Sequence, residues 1–347
     1  MKIIGCDFHP SYQQIAMLDT ETGELLEFRL EHEKGEARRF YERLQGPVRV
    51  GMEAVGNSQW FEQMLAALGH ELWIGDAGEI RRLEVRRQKT DRRDAQHILD
   101  LLLDGRFPRL WVPSAEIRDV RQLLRHRQKL VEWRTQVKNQ LQHLALNQGV
   151  QRKRKLWSKE GRAVLEQLPL QGWTARRRAE LLGMLDRLEE QIKELDTAVR
   201  AEAERRPEVR LLMTHPGVGP VVGLAYALTI GPVGRFSRGK KVASYLGLIP
   251  REHSSGGRQR LGAISKQGNT MMRTLLVEAA QNAARFDEQL RRDYRQLAAR
   301  KHKALAKVMV ARKLAVRLYW MLREQRPYVP PSVARMQGGS SHSVVEG

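Results

Sequence analysis

The stretches KIIGCDF (residues 2–8) and VRVGMEA (residues 48–54) are short apolar runs, and each carries an acidic residue near its end. Runs of this length, rich in apolar and β-branched residues, predict buried strands. Asp7 and Glu53 are therefore expected at the ends of two strands. If the two ends lie together, their carboxylates form an acidic pocket inside the folded chain.

The pattern around these two stretches predicts a mixed α/β domain. Further strands are predicted at 14–19, 24–31 and 71–76, and helices at about 34–45 and 58–69. The order of three strands, helix, strand, helix, strand and helix matches the ribonuclease H-like architecture. In that fold the acids of the first and fourth strands lie side by side, so we expect Asp7 and Glu53 to be neighbours.

Two more acids, Asp91 and Asp94 in KTDRRDA, open an amphipathic helix. At about 100° per residue, Asp91 falls within the apolar side of this helix and Asp94 at its margin. That side is formed by Ala95, Ile98, Leu99 and Leu102. Because unpaired buried carboxylates are costly, a cation or a basic partner is expected near both acids. Helix capping is the simpler explanation, with Thr90 as the N-cap, but it does not account for Asp7 and Glu53.

Together, the four acids predict a site for Mg²⁺ (or Mn²⁺). Hard divalent cations favour carboxylate oxygens, especially where phosphates supply the other ligands. Acids around such a cation can polarise a phosphodiester and stabilise its attacking and leaving oxygens. The acids do not identify the attacking group, which could be water, a DNA hydroxyl or a side chain.

The charge balance predicts a polyanionic partner. The chain has 347 residues, with 61 Lys and Arg against 40 Asp and Glu, so its formal net charge is +21. Nucleic acid is the partner that such an excess favours, although basic runs on many proteins are only solvated surface. The residues predicted to contact nucleic acid are Arg86, Arg87, Lys89, Arg92, Arg93, Lys153, Arg154, Lys155, Arg258, Arg260, Lys266 and Arg273.

The cysteine count and the hydropathy predict a cytoplasmic protein. The single cysteine, Cys6, excludes an internal disulfide framework and lies in an apolar run, where a core position is expected. No early stretch has the pattern of a signal peptide. No apolar run approaches the roughly 20 residues of a membrane helix, so no membrane partner is expected.

The rest of the chain is predicted to be mostly helical. Apolar residues at spacings of three, four and seven between 114 and 206 predict two amphipathic helices of coiled-coil type, arranged as an antiparallel hairpin or a dimerising stalk. The predicted domains are 1–113, 114–206 and 207–326. In the last of these, helices are predicted at about 270–300 and 303–323. The polar segment 327–347 is predicted to be a disordered tail.

A serine–glycine block in the third domain offers a protein nucleophile. Ser254 and Ser255 precede two glycines, and Arg258, Arg260 and Lys266 follow. A serine hydroxyl is a weak nucleophile unless a base or metal activates it, and nearby cations could hold a phosphate. On composition alone, a plain flexible loop is the stronger interpretation.

Taken together, these segments resemble the DEDD-type transposases of the insertion-sequence-110 family, and within it the eleven-eleven branch. The N-terminal half is similar through GCDFH, GMEAVG and KTDRRDAQHI, which match the RuvC-like domain of the family. The C-terminal half is similar through PGVGP, RFSRGKKVASYLGL, SSGG and ISKQGN followed by Arg273. The resemblance covers roughly residues 1–325.

The resemblance implies a recombinase that excises and inserts its mobile element. Such proteins are guided by a structured noncoding bridge RNA, which pairs with donor and target DNA. The resemblance implies that Asp7, Glu53, Asp91 and Asp94 hold Mg²⁺ and that Ser255 attacks the DNA backbone to form a covalent phosphoserine link. Ser254 is the alternative nucleophile. Assembly as a dimer of dimers in the bacterial cytosol, associated with the nucleoid during activity, is implied as well.

Two other functions are consistent with the residues alone. A Mg²⁺-dependent RuvC-like endonuclease, such as a junction resolvase, would use water in place of serine. A nucleic-acid-binding scaffold would need no catalysis, but four intact acids argue against it. The C-terminal serine block favours the recombinase, because a simple resolvase of this fold needs no such domain.

Overall fold

The structure is a computed structural model that describes residues 1–84, 90–151, 154–253 and 260–330. The chain divides into two compact units, one spanning Met1–Pro113 and one that begins at Ser114. Within the described ranges, no helix combines the length and the hydropathy that a membrane crossing requires.

The first unit is built on a five-stranded sheet. Its strands are β1 (Lys2–Phe8), β2 (Tyr12–Asp19), β3 (Leu25–Glu31), β4 (Val48–Glu53) and β5 (Glu71–Gly75). Their order across the sheet is β3-β2-β1-β4-β5. The first three strands are antiparallel neighbours, whereas β4 is parallel to both β1 and β5. The predicted mixed α/β fold is therefore confirmed.

Four helices accompany this sheet. They are α1 (Glu36–Arg43), α2 (Gln59–Ala67), α3 (Ala77–Leu83) and α4 (Asp91–Leu103). One face of the sheet packs against α1 and α2 in a core that includes Tyr41, Phe61 and Leu65, each fully buried. Cys6 lies in this core as predicted, and its thiol contacts the Gln13 amide oxygen at 3.1 Å.

The opposite face of the sheet is covered by α4 at very short range. A Cβ placed on Gly5 would lie 2.1 Å from the Ala95 carbonyl oxygen and 2.5 Å from the Leu99 nitrogen. One placed on Gly51 would lie 2.7 Å from a Leu102 methyl carbon. Real side chains do not approach other atoms this closely, so Gly5 allows the α4 backbone to rest directly on β1, and Gly51 leaves room over β4 for the Leu102 side chain.

The predicted start of α4 is also confirmed. Thr90 has an extended backbone, and its hydroxyl accepts a hydrogen bond from the Arg93 amide. Ala95, Ile98, Leu99 and Leu102 are buried, as their spacing predicts. The N-terminal turn of α4, which carries Asp91 and Asp94, is thereby fixed by a cap and by an apolar stripe on the sheet.

The second unit begins with two long helices. They are α5 (Ala115–Asn147) and α7 (Gly172–Arg205), and α6 (Lys159–Glu166) lies between them in the chain. Ion pairs join Arg127 to Asp196 at 2.5 Å and Lys138 to Glu189 at 2.7 Å. Because residue numbers rise along one helix as they fall along the other, α5 and α7 run antiparallel. Whether they form a true coiled coil or a stalk between subunits stays a prediction.

The regular elements in the rest of this unit, as far as its residues are described, are helices and one short β-hairpin. Its elements are α8 (Pro207–Met213), α9 (Pro220–Ile230), α10 (Gly239–Tyr245), β6 (Pro250–Glu252), β7 (Leu261–Ile264), α11 (Thr270–Phe286), α12 (Glu288–Arg300) and α13 (Lys303–Glu324). The HPGVGP turn between α8 and α9 packs tightly, because Gly217 has a φ of 87° and its missing side chain leaves room for the Ala283 backbone.

The expectation of one continuous helix over about 270–300 is wrong. The structure has two helices, α11 and α12, separated at Asp287. The backbone of Asp287 is extended, and its buried carboxylate caps α12 by accepting from the Leu290 amide at 2.6 Å. The same carboxylate accepts from Arg317 and from the Tyr328 hydroxyl. These tertiary partners fix the break, and local sequence pattern does not show them.

The close contact between the sheet and α4 gives a test of stability. We expect Gly5→Ala to lower the free energy of unfolding by about 1–3 kcal/mol. The new methyl group would overlap the backbone of α4, which can give way only if the helix shifts as a whole. Gly56→Ala is the matched control, since a Cβ there has no neighbour within 4 Å. Denaturant unfolding of both variants measures the difference, and equal stabilities would show that α4 can shift at little cost.

Candidate active site

Asp7 and Glu53 lie side by side at the ends of neighbouring parallel strands. In the ladder between β1 and β4, Cys6 is opposite Met52, so Asp7 and Glu53 occupy the next level. Cys6 and Met52 point into the core with α1 and α2. Because successive side chains of a strand alternate between faces, both acids point toward the face that α4 covers.

His9 links Asp7 to the start of α4. Its Nε2 atom lies 3.0 Å from Asp7 Oδ2 and 3.7 Å from Asp91 Oδ2. The His9 amide donates to the Tyr12 carbonyl at 2.9 Å, which closes the tight turn between β1 and β2. The imidazole is therefore held between two acids that are far apart in the sequence.

Asp91 is held by an aromatic residue at the start of β2. The Tyr12 hydroxyl donates to Asp91 Oδ2 at 2.7 Å. This bond stabilises the charged carboxylate and is the main reason why the pKa of Asp91 is lowered from its ordinary value. The Tyr12 ring stacks against His9 at 4.6 Å, and the Arg29 guanidinium lies 3.8 Å from its centre.

The pKa of Asp7 is shifted in the opposite direction. Burial raises it first, and the nearby carboxylates of Asp94 and Asp91 raise it further, while His9 opposes both effects. This dependence places Asp94 in the electrostatic environment of Asp7. Ionising all three acids together is unfavourable unless positive charge is brought among them.

Glu53 has a different neighbour. Arg81, in α3, donates from Nη2 to Glu53 Oε1 at 3.2 Å. The Arg81 side chain is 67% exposed, so this pair lies at the surface and can open at little cost. Of the four predicted acids, the structure thus brings Asp7 and Asp91 together, places Asp94 nearby and pairs Glu53 with the exposed Arg81 side chain.

The side chains at this edge fit a divalent cation. Ligand atoms of Asp7, His9 and Asp91 all lie within 4.8 Å of one another, a set that the sequence analysis only partly anticipated. Two carboxylates suit Mg²⁺ and Mn²⁺, whereas an imidazole is a softer ligand that suits Mg²⁺ less well. A shared cation among the acids with His9 as their hydrogen-bonding partner agrees with this chemistry.

His9 and Tyr12 were missed by the sequence analysis. A signal for His9 was present, because a residue two positions after Asp7 in an extended chain lies on the same face. No comparable signal marked Tyr12. Its hydroxyl reaches Asp91 only because β2 pairs with β1 and α4 packs across both strands.

Apart from Arg273, the predicted nucleic-acid contacts fall into three groups. Exposed positions in the described ranges are Lys155, Arg260 and Lys266, and Arg93 lies in the first turn of α4. Arg92 pairs with Glu27 of β3. Outside the described residues lie Arg86, Arg87, Lys89, Lys153, Arg258 and both candidate nucleophiles, Ser254 and Ser255, and the side chain of Arg154 is not described either.

Arg273 has a structural position. It is 9% exposed, and its guanidinium donates to the Gln267 carbonyl at 2.7 Å and to the Thr270 hydroxyl at 2.9 Å. A third contact reaches the Leu246 carbonyl at 3.4 Å. These bonds hold α10, the 265–269 segment and α11 together, so in this structure Arg273 does not present its charge to a phosphate.

Comparison with known proteins places both units in one group. A family model described as "Transposase IS116/IS110/IS902 family" matches residues 209–295. A second model, described as "Transposase" and representing the DEDD group of IS110 elements, matches residues 4–148. The five-stranded sheet of the first unit is consistent with a nuclease fold of that group.

Individual relatives cover most of this chain. A "Probable family 20 transposase" of Pseudomonas aeruginosa is 30% identical over 81% of this chain and 84% of its own length. The "Transposase for insertion sequence element IS1111A" of Coxiella burnetii is 27% identical over 81% of this chain and 77% of its own. The "Transposase for insertion sequence element IS1328" of Yersinia enterocolitica is 25% identical over 67% and 70%, respectively.

The bond from Tyr12 to Asp91 can be tested by titration. We expect Tyr12→Phe to raise the pKa of Asp91 toward its ordinary value, because the hydroxyl that stabilises the ionised carboxylate is removed. The phenylalanine ring keeps the contacts with His9 and Arg29. Carboxyl-carbon NMR measures the shift, and Asp186, whose pKa is lowered by Arg162 in the second unit, is an internal reference. An unchanged Asp91 pKa would contradict the assignment.

Proposed function

The chain belongs to the IS116/IS110/IS902 family of transposases and is a DNA recombinase, and from this premise we propose that it is an RNA-guided enzyme that cuts and rejoins donor and target DNA with a serine nucleophile. We further propose the eleven-eleven branch as its subgroup, which its similarity to the IS1111A transposase supports.

The acidic cluster at the edge of the sheet carries this proposal. Asp7 and Asp91 meet at His9, and Asp94 and Glu53 lie beside them, in a chain whose net charge is +21. Such a concentration of carboxylates in a basic protein suits chemistry on a phosphodiester, where a divalent cation neutralises the acids and the phosphate at once. We propose that Asp7, Glu53, Asp91 and Asp94 are the cation-binding residues.

A bound Mg²⁺ or Mn²⁺ would polarise the scissile phosphate and stabilise charge on its oxygens. The residues of the chain set up this chemistry. Tyr12 keeps Asp91 ionised, and His9 orients Asp7 toward Asp91. Arg81 would leave Glu53 as that carboxylate takes part in binding, since the pair is exposed. Tyr12 and His9 therefore hold the carboxylates of Asp91 and Asp7 in place in the DNA-free protein.

The proposed covalent step uses Ser255. Its hydroxyl oxygen attacks phosphorus, its proton passes to a base or to solvent, and one phosphorus–oxygen bond of the DNA backbone breaks. The departing DNA oxygen takes up a proton, so a free hydroxyl end and a phosphoserine result. A hydroxyl of another DNA end then attacks the phosphoserine, which restores the serine and joins the strands. Similarity of the SSGG block to the family supports Ser255, with Ser254 as the alternative.

The proposed partners follow from the same family resemblance. A bridge RNA would select the donor and target by base pairing, while the protein contacts backbone and shape. The basic residues at exposed positions, Lys155, Arg260 and Lys266 among them, suit such contacts. We propose a dimer of dimers in the bacterial cytosol, with the antiparallel helices α5 and α7 as one interface.

A Mg²⁺-dependent endonuclease that uses water is the alternative function. The acidic site described above serves that reaction equally well, because the acids do not select the attacking group. The two functions differ in one chemical product, which is a covalent bond between protein and DNA.

The serine assignment predicts which variant loses that product. We expect Ser255→Ala to abolish the covalent adduct formed on a DNA carrying the element junction, in the presence of RNA transcribed from its flanking noncoding DNA. Binding of DNA and RNA should be retained, because the hydroxyl is needed only for attack. Adducts are detected by denaturing gel electrophoresis with labelled DNA.

Ser254→Ala is the matched control for this experiment and should keep the adduct. Loss of the adduct in Ser254→Ala alone would move the nucleophile by one residue. Cleavage at the normal rate by Ser255→Ala, without any adduct from either variant, would favour the endonuclease.

The acidic site predicts a response to metal that needs no substrate. We expect saturating Mg²⁺ or Mn²⁺ to stabilise the wild-type protein, by about 2.7 kcal/mol at 100 times its Kd, and to leave Asp7→Asn nearly unchanged. Thermal unfolding with and without the cation measures this difference. Equal stabilisation of both proteins would place the cation elsewhere.

The same variant tests the electrostatics of the cation-free protein. Because the pKa of Asp7 is raised above its ordinary value of 3.8, the native state resists ionisation more than the unfolded chain does. Wild-type stability is therefore lost as pH rises from 3.8 through the native pKa. Asp7→Asn lacks this loss, so we expect it to be the more stable protein at neutral pH and to lose that advantage in acid.

A further inference from the structure

A basic cavity lies in the second unit. Its volume is about 400 Å³, and its walls include Arg121 and Arg125 of α5, Thr229 of α9, Tyr245 of α10 and Asn269. Among the described residues that line it, there is no carboxylate. A cavity of this size accommodates a phosphate group together with part of its sugar.

Two arginines, Arg121 and Arg125, line the cavity, and two more act on the charge of Arg121. Arg121 is half-buried, and its Nη2 atom donates to the Leu228 carbonyl at 2.5 Å, which fixes the side chain in place. Burial lowers the pKa of Arg121, and the positive charges of Arg125, Arg235 and Arg118 lower it further, while Tyr245 opposes them. Arg125, Arg235 and Arg118 are therefore each close enough to repel the charge of Arg121, and an anion beside Arg121 would relieve that repulsion.

Arg235 packs against two aromatic rings, one of which belongs to the cavity-lining Tyr245. The Arg235 guanidinium lies 4.7 Å from the centre of the Phe236 ring and 4.8 Å from that of Tyr245. Cation–π contacts of this kind hold a guanidinium in one orientation. Tyr245 and Arg125 are both exposed, so the cavity opens to the surface and is accessible to a polymer as well as to a small ion.

The lining of the cavity also includes the start of a long helix. Gly268, Asn269 and Met271 line the cavity, and Asn269 caps α11 by accepting from the Met272 amide at 3.0 Å. The N-terminus of a helix of this length carries a partial positive charge. This partial charge adds to the positive potential of the arginines. It is independent of them and also favours an anion.

The cavity also lies at the base of the β6–β7 hairpin. Tyr245 ends α10 five residues before β6 begins at Pro250, and Gly268 follows the end of β7 at Ile264 by four residues. The two flanking segments are in close contact, since a Cβ on Gly268 would lie 2.3 Å from the Tyr245 carbonyl oxygen. Arg273 binds carbonyls of both segments. In the sequence, this hairpin brackets Ser255.

We propose that this cavity, with Arg121 and Arg125 as its principal contacts, binds a backbone phosphodiester of nucleic acid and holds the strand at the base of the β6–β7 hairpin. Guanidinium groups match phosphate geometry with paired hydrogen bonds, and a fixed set of them positions a strand without reading its sequence. The inference rests on the proposed function in one respect, which is that the anion belongs to a nucleic acid.

Salt dependence of binding tests this inference. We expect Arg125→Gln to reduce the slope of log K against log salt by about 0.9 on a DNA duplex of arbitrary sequence, since one phosphate contact is lost. The matching loss of affinity is about fivefold at roughly 0.15 M salt. Fluorescence anisotropy with labelled DNA, and in parallel with an RNA duplex of the same sequence, measures both quantities in the full-length protein.

Two further variants make the result interpretable. Arg121→Gln should reduce the slope by a similar amount, and its circular dichroism shows whether loss of the Leu228 contact has disturbed the fold. Arg176→Gln is the control, because Arg176 is 65% exposed on α7 and already paired with Glu180 at 2.9 Å. It should leave the slope unchanged.

The outcomes separate this inference from the proposed function. A reduced slope with DNA alone, with RNA alone or with both supports the cavity as a phosphodiester site and identifies the strand that it holds. Slopes and affinities of Arg125→Gln and Arg121→Gln equal to those of Arg176→Gln would overturn it, even if the wild type binds strongly. A wild type that binds neither nucleic acid would contradict the proposed function instead.

Discussion

The close packing of α4 on Gly5 of β1 and Gly51 of β4 is the constraint on which the acidic site depends. Gly5 and Gly51 leave no side chain between the sheet and Ala95, Leu99 or Leu102. Because the helix lies directly on the strands, its first turn is at the level where those strands end. This brings Asp91 close to Asp7 although 84 residues separate them in the chain. A helix displaced by one side chain would carry its acids away.

The geometry of the acids reflects a balance between repulsion and local hydrogen bonds. His9 bridges Asp7 and Asp91, and Tyr12 stabilises the charge of Asp91, whereas burial and neighbouring acids work against the charge of Asp7. The protein thus tolerates an electrostatic cost at one edge of its sheet. Unfavourable charge of this kind clusters at functional sites. A divalent cation would neutralise the acids, and a phosphate would supply further oxygen ligands to that cation.

The second unit concentrates charge of the opposite sign. Arg121 and Arg125 of α5 line a cavity that also includes the start of α11, and Arg273 binds the segments on either side of the β6–β7 hairpin. An acidic site in one unit and a basic site in the other suit a reaction on a phosphodiester. We propose that the acidic site binds a divalent cation and that the basic cavity binds a backbone phosphate of nucleic acid.

The sequence by itself determined the strands, the start of α4, the buried position of Cys6 and the set of acids, because these depend on local pattern and capping. The similarity of its motifs also identified the family. Only the tertiary structure decided that His9 and Tyr12 join Asp7 to Asp91, that Arg81 holds Glu53, and that Asp287 divides α11 from α12. It also shows that Arg273, which was predicted to contact phosphate, is buried and donates to backbone carbonyls. Each of these results depends on partners distant in the chain, and periodicity and local propensity carry no information about them.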